Sequence, residues 1–190
     1  SLEEFDAEVK EGALVLDVRH QSDFVKGFAT RSWFIGIDGP FAPWVGNMIN
    51  DINQKIVIIC PEGREEEVVK RLARVGYDNT VGYLKGSFSA WEKAGRSVDV
   101  ILQQTAAEFA EEHTKGLSVL DVRNPEEFAV EHIEKAQNQP LDSVLNHLKD
   151  VDVEKTYHVH CAGGYRSVIF ISILKSKGYH KLVDVKGGYQ

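Results

Sequence analysis

Cysteine is scarce in this chain. Cys60 and Cys161 are its only two, and two cysteines so far apart do not make a disulfide framework. There is no Cys-x-x-Cys pair and no His-x-x-x-His run, which removes the common spacings of a zinc site. No apolar run reaches the ~20 residues that a membrane span needs. The first residues, Ser1-Leu2-Glu3-Glu4-Phe5, lack the basic and apolar regions of a signal peptide. The expectation is a cytoplasmic protein that makes no membrane contact. Positive charge is also in deficit: 22 Lys and Arg stand against 29 Asp and Glu, giving a net charge of -7. The basic residues are scattered, so no stripe exists to track a phosphate backbone and nucleic acid is not an expected partner. In a reducing compartment each single cysteine is then read for its reactivity.

What is present is an ordinary globular composition, 43% hydrophobic and 27% charged over 190 residues. That length suits one large domain or two small ones. A long internal repeat decides for two. Val15-Leu16-Asp17-Val18-Arg19 recurs as Val119-Leu120-Asp121-Val122-Arg123, with Phe24 and Phe128 following at the same offset. Ser1 with Glu4, and Thr105 with Glu108, repeat a capping-box pattern in which hydroxyl and carboxylate each satisfy a free N–H at a helix start. Gly76-Tyr77 and Lys85-Gly86 are answered by Gly178-Tyr179 and Lys186-Gly187. A repeat of this length describes two homologous domains, 1–100 and 101–190, and not a solenoid.

Each unit alternates strands with helices. Leu14–Val18 and Ile56–Ile59 are short apolar runs suited to strands buried on both faces, and Glu65–Val75 carries Val68, Leu72 and Val75 at helical spacing. Gly76 and Gly178 read as left-handed helix caps. The alternation predicts an α/β fold, each unit a mostly parallel sheet with helices on both faces, whose ligands bind at the carboxyl ends of the strands. Both cysteines fall there. Gly27–Gly36 and Phe41–Gly46, rich in aromatics and glycine, have no close counterpart in the second unit and read as a local variant of the core, or else as an interface. The second unit has instead Glu131–Ala136 and a helix-like run from Leu141 to Leu148. The first unit continues past Lys85-Gly86 into a closing helix, Ser87–Lys93, whereas the second stops at Gly187-Gly188-Tyr189-Gln190. Its last helix is expected to lie outside this sequence.

Cys161 lies in His160-Cys161-Ala162-Gly163-Gly164-Tyr165-Arg166-Ser167, between the alternating run Thr156–Val159 and the apolar helix that begins at Val168. This predicts strand, six-residue loop, helix. Glycines let the loop turn inward, so that the free N–H groups from Ala162 to Ser167 point into the bend beside the sulfur. Partial positive charge of that kind favours thiolate over thiol. Arg166 adds a planar fork of donors suited to an oxyanion. Cys60 sits in Cys60-Pro61-Glu62-Gly63-Arg64-Glu65-Glu66-Glu67, where Glu65 stands in the place of Arg166. Its carboxylates disfavour a thiolate and repel an anionic substrate, so Cys60 is read as structural. Asp121 and Arg123, with their repeats Asp17 and Arg19, are expected to form structural ion pairs that support the bend. His158 and His160 share a strand face and are read as packed or hydrogen-bonded, with metal binding the less favoured alternative, and His132 as exposed or capping. No metal or cofactor is implied.

These residues resemble a tandem rhodanese along essentially the whole chain: Leu120-Asp121-Val122-Arg123, Glu131-His132-Ile133-Glu134-Lys135-Ala136, the Cys-x-x-Gly-x-Arg loop Cys161–Arg166, and Val185-Lys186-Gly187-Gly188. The resemblance implies that Cys161 carries the transferred sulfur, with the N–H groups of Ala162, Gly163, Gly164, Tyr165, Arg166 and Ser167 and the Arg166 side chain holding the sulfur and the donor's anionic end. It implies small sulfur-containing anions and thiols as partners. The first unit resembles the inactive modules of such tandems. Its aromatic segment also resembles the region that follows a metallo-β-lactamase-fold persulfide dioxygenase domain in fusion proteins. No His-x-His-x-Asp-His run is present, so any dioxygenase chemistry would belong to residues outside this chain. Two other readings stay open: a non-catalytic docking or regulatory module, and a cysteine phosphatase or arsenate reductase. The latter resemble Cys-x5-Arg, whereas Cys161 and Arg166 are spaced Cys-x4-Arg, a smaller cradle.

Overall fold

A computed structural model describes residues 1–113 and 115–189. Gln190, where the expected truncation falls, lies outside them. The chain divides into two compact units, Ser1–Val100 and Ile101–Gln190.

The first unit runs α1 (Leu2–Lys10), β1 (Leu14–Asp17), α2 (Gln21–Phe24), β2 (Phe28–Ala29), β3 (Trp33–Phe34), α3 (Phe41–Met48), β4 (Ile56–Ile59), α4 (Glu65–Ala73), β5 (Thr80–Tyr83), α5 (Ser87–Lys93) and β6 (Val98–Asp99). Its main sheet has the order β3-β1-β4-β5, all parallel, and β2 pairs antiparallel with β6. Strand β4, Ile-Val-Ile-Ile, is buried at every position because helices cover both faces. The capping box at Ser1 forms: the Glu4 N–H donates to Ser1 Oγ and the Ser1 amino group to Glu4 Oε2. Gly76 caps α4 at φ +92°, where a left-handed residue ends the helix without a Cβ clash. The aromatic segment is core: Phe24, Phe28, Phe34, Ile35, Ile37 and Phe41 are all buried, with Phe24 stacked on Phe28 at 4.2 Å.

The second unit runs β7 (Leu102–Thr105), α6 (Ala106–His113), β8 (Ser118–Asp121), α7 (Pro125–Val130), β9 (Gln137–Asn138), β10 (Tyr157–His160), α8 (Tyr165–Ser176) and β11 (Leu182–Lys186). Its sheet is wholly parallel, in the order β7-β11-β10-β8-β9. Central β10 is buried throughout, and α8 buries every residue from Ser167 to Leu174, as a helix apolar all round must.

Two local expectations change. Leu141–Leu148 is not an α-helix but two short 3-10 turns, Leu141–Asn146 and Leu148–Asp150. Pro140 and Ser143 start the first one, with Ser143 Oγ donating to the Pro140 carbonyl at 3.2 Å, and a short polar side chain that bonds nearby backbone competes with a regular helix. Helix α8 begins at Tyr165, its N-cap Gly164 at φ +86°. The loop is therefore shorter than six residues, and Tyr165, Arg166 and Ser167 belong to the first turn of the helix.

Candidate active site

Strand β10 delivers Cys161 to the carboxyl edge of the sheet, and α8 leaves immediately after the bend. The left-handed Gly164 turns the chain so that its N–H donates to Cys161 Sγ at 3.1 Å, while Ser167 Oγ lies 3.7 Å from the same sulfur. Cys161 is buried, 1% exposed. The sulfur thus sits over the start of a twelve-residue helix, where free N–H groups and the helix dipole favour negative charge. Ser167 is fully buried, as is the Asp184 carboxyl, which accepts from Gln103 Nε2 at 2.8 Å. Burial holds that carboxyl above the usual range, against the pull of the nearby Ser167 hydroxyl and the Gln103 amide.

A second segment presses on the loop from the end of β11. Gly188, at φ +72°, packs so closely that a Cβ there would fall on the Cys161 carbonyl oxygen and within 2.5 Å of the Ala162 carbonyl oxygen. The Tyr189 N–H donates to Cys161 O at 2.8 Å. The Arg123 guanidinium lies 4.1 Å from the Tyr189 ring centroid, and the His160 ring stacks on the same ring at 5.8 Å.

Asp121 and Arg123 support this from below. Arg123 Nε donates to both Asp121 oxygens at 3.0 Å, its Nη2 to Asp121 Oδ2 at 2.7 Å and to the Glu131 carbonyl at 2.8 Å. Both residues are buried, so the pair is a closed clamp and its charges are spent on each other. Asp17 and Arg19 repeat it, down to Arg19 Nη2 on the Gly27 carbonyl at 2.8 Å and the guanidinium 4.3 Å from the Phe88 ring centroid. Asp121 pairs in register with His160, whose Nε2 is 3.6 Å from Asp121 Oδ2. Burial lowers the basicity of both His158 and His160. His158 packs 5.9 Å from the Phe109 ring centroid. His132 is exposed, stacked on Phe128 with Nδ1 2.8 Å from the Phe128 carbonyl. Among the described residues no three His, Cys, Asp or Glu side chains are placed to hold a metal ion.

Arg166, read from the sequence as a fixed fork of donors for an oxyanion, has a carboxylate partner in the structure: Nη1 and Nη2 donate to Glu127 Oε2 and Oε1 at 2.6 and 2.8 Å. Glu127 was not singled out from the sequence, and neither were Tyr189 or Asp184. Asn124-Pro125-Glu126-Glu127 does carry a capping-box signal, and that box forms, but it gives no hint of a partner in α8. The Arg166 bond, opposed by desolvation, pulls Glu127 down to about 2.

The loop of Cys60 shares the topology and lacks the cradle. The Gly63 N–H donates to Glu65 Oε1 at 3.1 Å, so a carboxylate already holds a loop donor. Arg64 turns to Asp38 and Glu67, at 2.8 Å each. Burial, then Glu65 and Asp17 against Arg64, pushes the Cys60 thiol up to about 12.

A family model for the rhodanese-like domain matches residues 1–94 and again 105–190. The chain belongs to the rhodanese-like family. It carries two rhodanese domains whose α/β sheets and paired clamps repeat one plan. Among curated relatives it is similar to an adenylyltransferase and sulfurtransferase, uba4, of Ogataea parapolymorpha, 30% identical over 132 residues. That match covers 68% of this chain and only 31% of the relative. It is also similar to a thiosulfate sulfurtransferase, GlpE, of Pseudomonas putida, 29% identical over 76 residues, 40% of this chain and 69% of that one. Among solved structures, a rhodanese-related protein from Thermoplasma volcanium is 35% identical, with a TM-score of 0.44, and covers 47% of this chain and 87% of its own.

Proposed function

We propose that the second rhodanese domain is a sulfurtransferase working through a Cys161 persulfide. The Gly164 N–H on Cys161 Sγ, in a bend that also opens the helix, is the observation that carries this reading. The Cys161 thiolate attacks the outer sulfur of thiosulfate or of a low-molecular-weight persulfide. The S–S bond of the donor breaks, sulfite or the donor thiolate leaves with the electron pair, and Cys161 keeps the sulfur. An acceptor thiolate or cyanide then attacks that sulfur and restores the Cys161 thiolate. Activation is electrostatic and needs no paired base. The backbone N–H groups of Ala162, Gly163, Gly164 and Tyr165, with those of Arg166 and Ser167 in the first turn of α8, hold the sulfur.

The first domain serves a different role. With Glu65 in its loop and Cys60 protonated at neutral pH, it is a docking or regulatory module for a neighbouring domain or partner. A metallo-β-lactamase-fold persulfide dioxygenase domain, fused upstream in a longer cytoplasmic protein, would supply or consume the same sulfur species. The cysteine phosphatase alternative has less support, since the loop is Cys-x4-Arg and Arg166 is held by Glu127.

Thiocyanate release from thiosulfate and cyanide tests the reading. It is expected from the wild type and from Cys60→Ser, and lost in Cys161→Ser. Sulfur activity unchanged in Cys161→Ser would leave only the docking role, and hydrolysis of an aryl phosphate that depends on Cys161 would move the site to phosphoryl chemistry.

A further inference from the structure

Arg166 would ordinarily be taken as the cation that draws an anionic donor to the cysteine. Its surroundings argue otherwise. Both terminal nitrogens of the guanidinium are engaged by the two oxygens of Glu127, at 2.6 and 2.8 Å, the two-pronged geometry that matches a guanidinium to a carboxylate. Glu127 is not a passing surface partner. Its Oε2 also accepts the Asn124 N–H at 3.0 Å, which ties the carboxylate to the first turn of α7. The other nearby cation, Arg123, is spent on Asp121. Two cations and two carboxylates therefore cancel at this end of the sheet. The attraction left for a donor is that of the loop N–H groups and the helix start.

The first domain provides an internal control. Where the second has Glu127 and Arg166, the repeat places Asp23 and Glu65. Asp23 faces Lys26 at 3.8 Å on the surface, and Glu65 turns to the Gly63 N–H. The carboxylate from α7 is present in the form of an Arg partner only in the domain whose loop is free of acid.

We infer that Glu127 is a positioning residue that fixes Arg166 and cancels its charge, so that the Cys161 cradle selects donors of lower negative charge, thiol persulfides, which react as neutral R–S–SH, over the thiosulfate dianion. This rests on the sulfurtransferase reading and narrows its donor class. For such a donor the step balances: the Cys161 thiolate attacks the outer sulfur of R–S–SH, the S–S bond breaks, R–S⁻ leaves with the electron pair, and Cys161–S–SH forms.

The test uses the full chain and two pairs of probes. Iodoacetate and iodoacetamide differ in charge and little in shape, and their rates of alkylating Cys161, located by peptide mass, read the charge of the cradle without any sulfur transfer. Glu127→Gln should raise the iodoacetate to iodoacetamide rate ratio about tenfold at low salt, an effect that shrinks at high salt. Loading from thiosulfate, relative to the persulfide of an uncharged thiol, should rise in parallel. Glu127→Asp keeps the charge, so its ratio should stay near that of the wild type even if both rates fall. Equal changes for both reagents in Glu127→Gln, or none, would overturn the inference and leave Glu127 a structural partner. If no variant loads sulfur from either donor while the alkylation ratio shifts as stated, the sulfurtransferase reading fails and the charge-setting role of Glu127 stands.

Discussion

Gly187 and Gly188 make a matched pair of perturbations for the contact between the β11 turn and the cysteine loop. Both are left-handed, at φ +88° and +72°, so alanine at either position meets the same backbone penalty, about 1–2 kcal/mol. Their surroundings differ. A Cβ on Gly187 meets nothing within 4 Å, whereas one on Gly188 falls on the Cys161 carbonyl oxygen and lies 2.5 and 2.6 Å from the oxygen and carbon of the Ala162 carbonyl. Backbone atoms cannot swing aside as a flexible side chain can, so the loop itself must shift. Overpacking of that kind adds about 1–3 kcal/mol. Gly187→Ala should therefore cost about 1–2 kcal/mol and Gly188→Ala about 2–5. The larger loss should come with slower sulfur loading, because the displaced residues are Cys161 and Ala162. Urea unfolding followed on the second domain's transition, with persulfide formation read by intact mass, gives both quantities. If the two variants differ by less than about 0.5 kcal/mol and load sulfur alike, the β11 turn does not set the loop and the reasoning fails.

Three further outcomes follow from the charges. Asp121→Ala strands Arg123 inside the second domain and should cost about 3–5 kcal/mol by urea unfolding; a loss under 1 kcal/mol would mean that the clamp is not closed. The Glu127 carboxyl is pulled down to about 2, from an ordinary 4.5, by Arg166, and a group with a lowered folded value stabilises above its unfolded value. Its ion pair should therefore be intact above pH 4.5 and be lost as pH falls toward 2, which carboxyl NMR titration can follow; a midpoint at or above 4.5 would contradict the geometry. The Cys60 thiol, pushed up to about 12, should resist iodoacetamide at pH 8 in the folded protein and react only on unfolding, and rapid alkylation there would show the first domain's loop to be open.

The fold was legible where its signals are local or repeated. Asp17-Val18-Arg19 and Asp121-Val122-Arg123 announced two domains, and Ser1 with Glu4, Gly76 and Gly178 marked helix ends through side chains and φ values that act within one turn. The cysteine loop was legible because glycines and a helix start are adjacent to it in sequence. Its charge balance was not. Glu127 reaches Arg166 from another helix, 39 residues earlier in the chain, and only the fold brings carboxylate and guanidinium together. Tyr189 was equally hidden: an exposed-looking aromatic after two glycines turns back because its N–H finds the Cys161 carbonyl. Leu141–Leu148 misled because its apolar spacing suits a helix, while Pro140 and Ser143 draw the backbone into 3-10 turns.

Single-turnover sulfur loading of the wild type, Cys60→Ser and Cys161→Ser, from thiosulfate and from glutathione persulfide, tests the central claim most directly. The wild type and Cys60→Ser should each gain the mass of one sulfur on Cys161, and Cys161→Ser should gain none. A Cys161→Ser protein that still forms a cysteine persulfide would contradict the account.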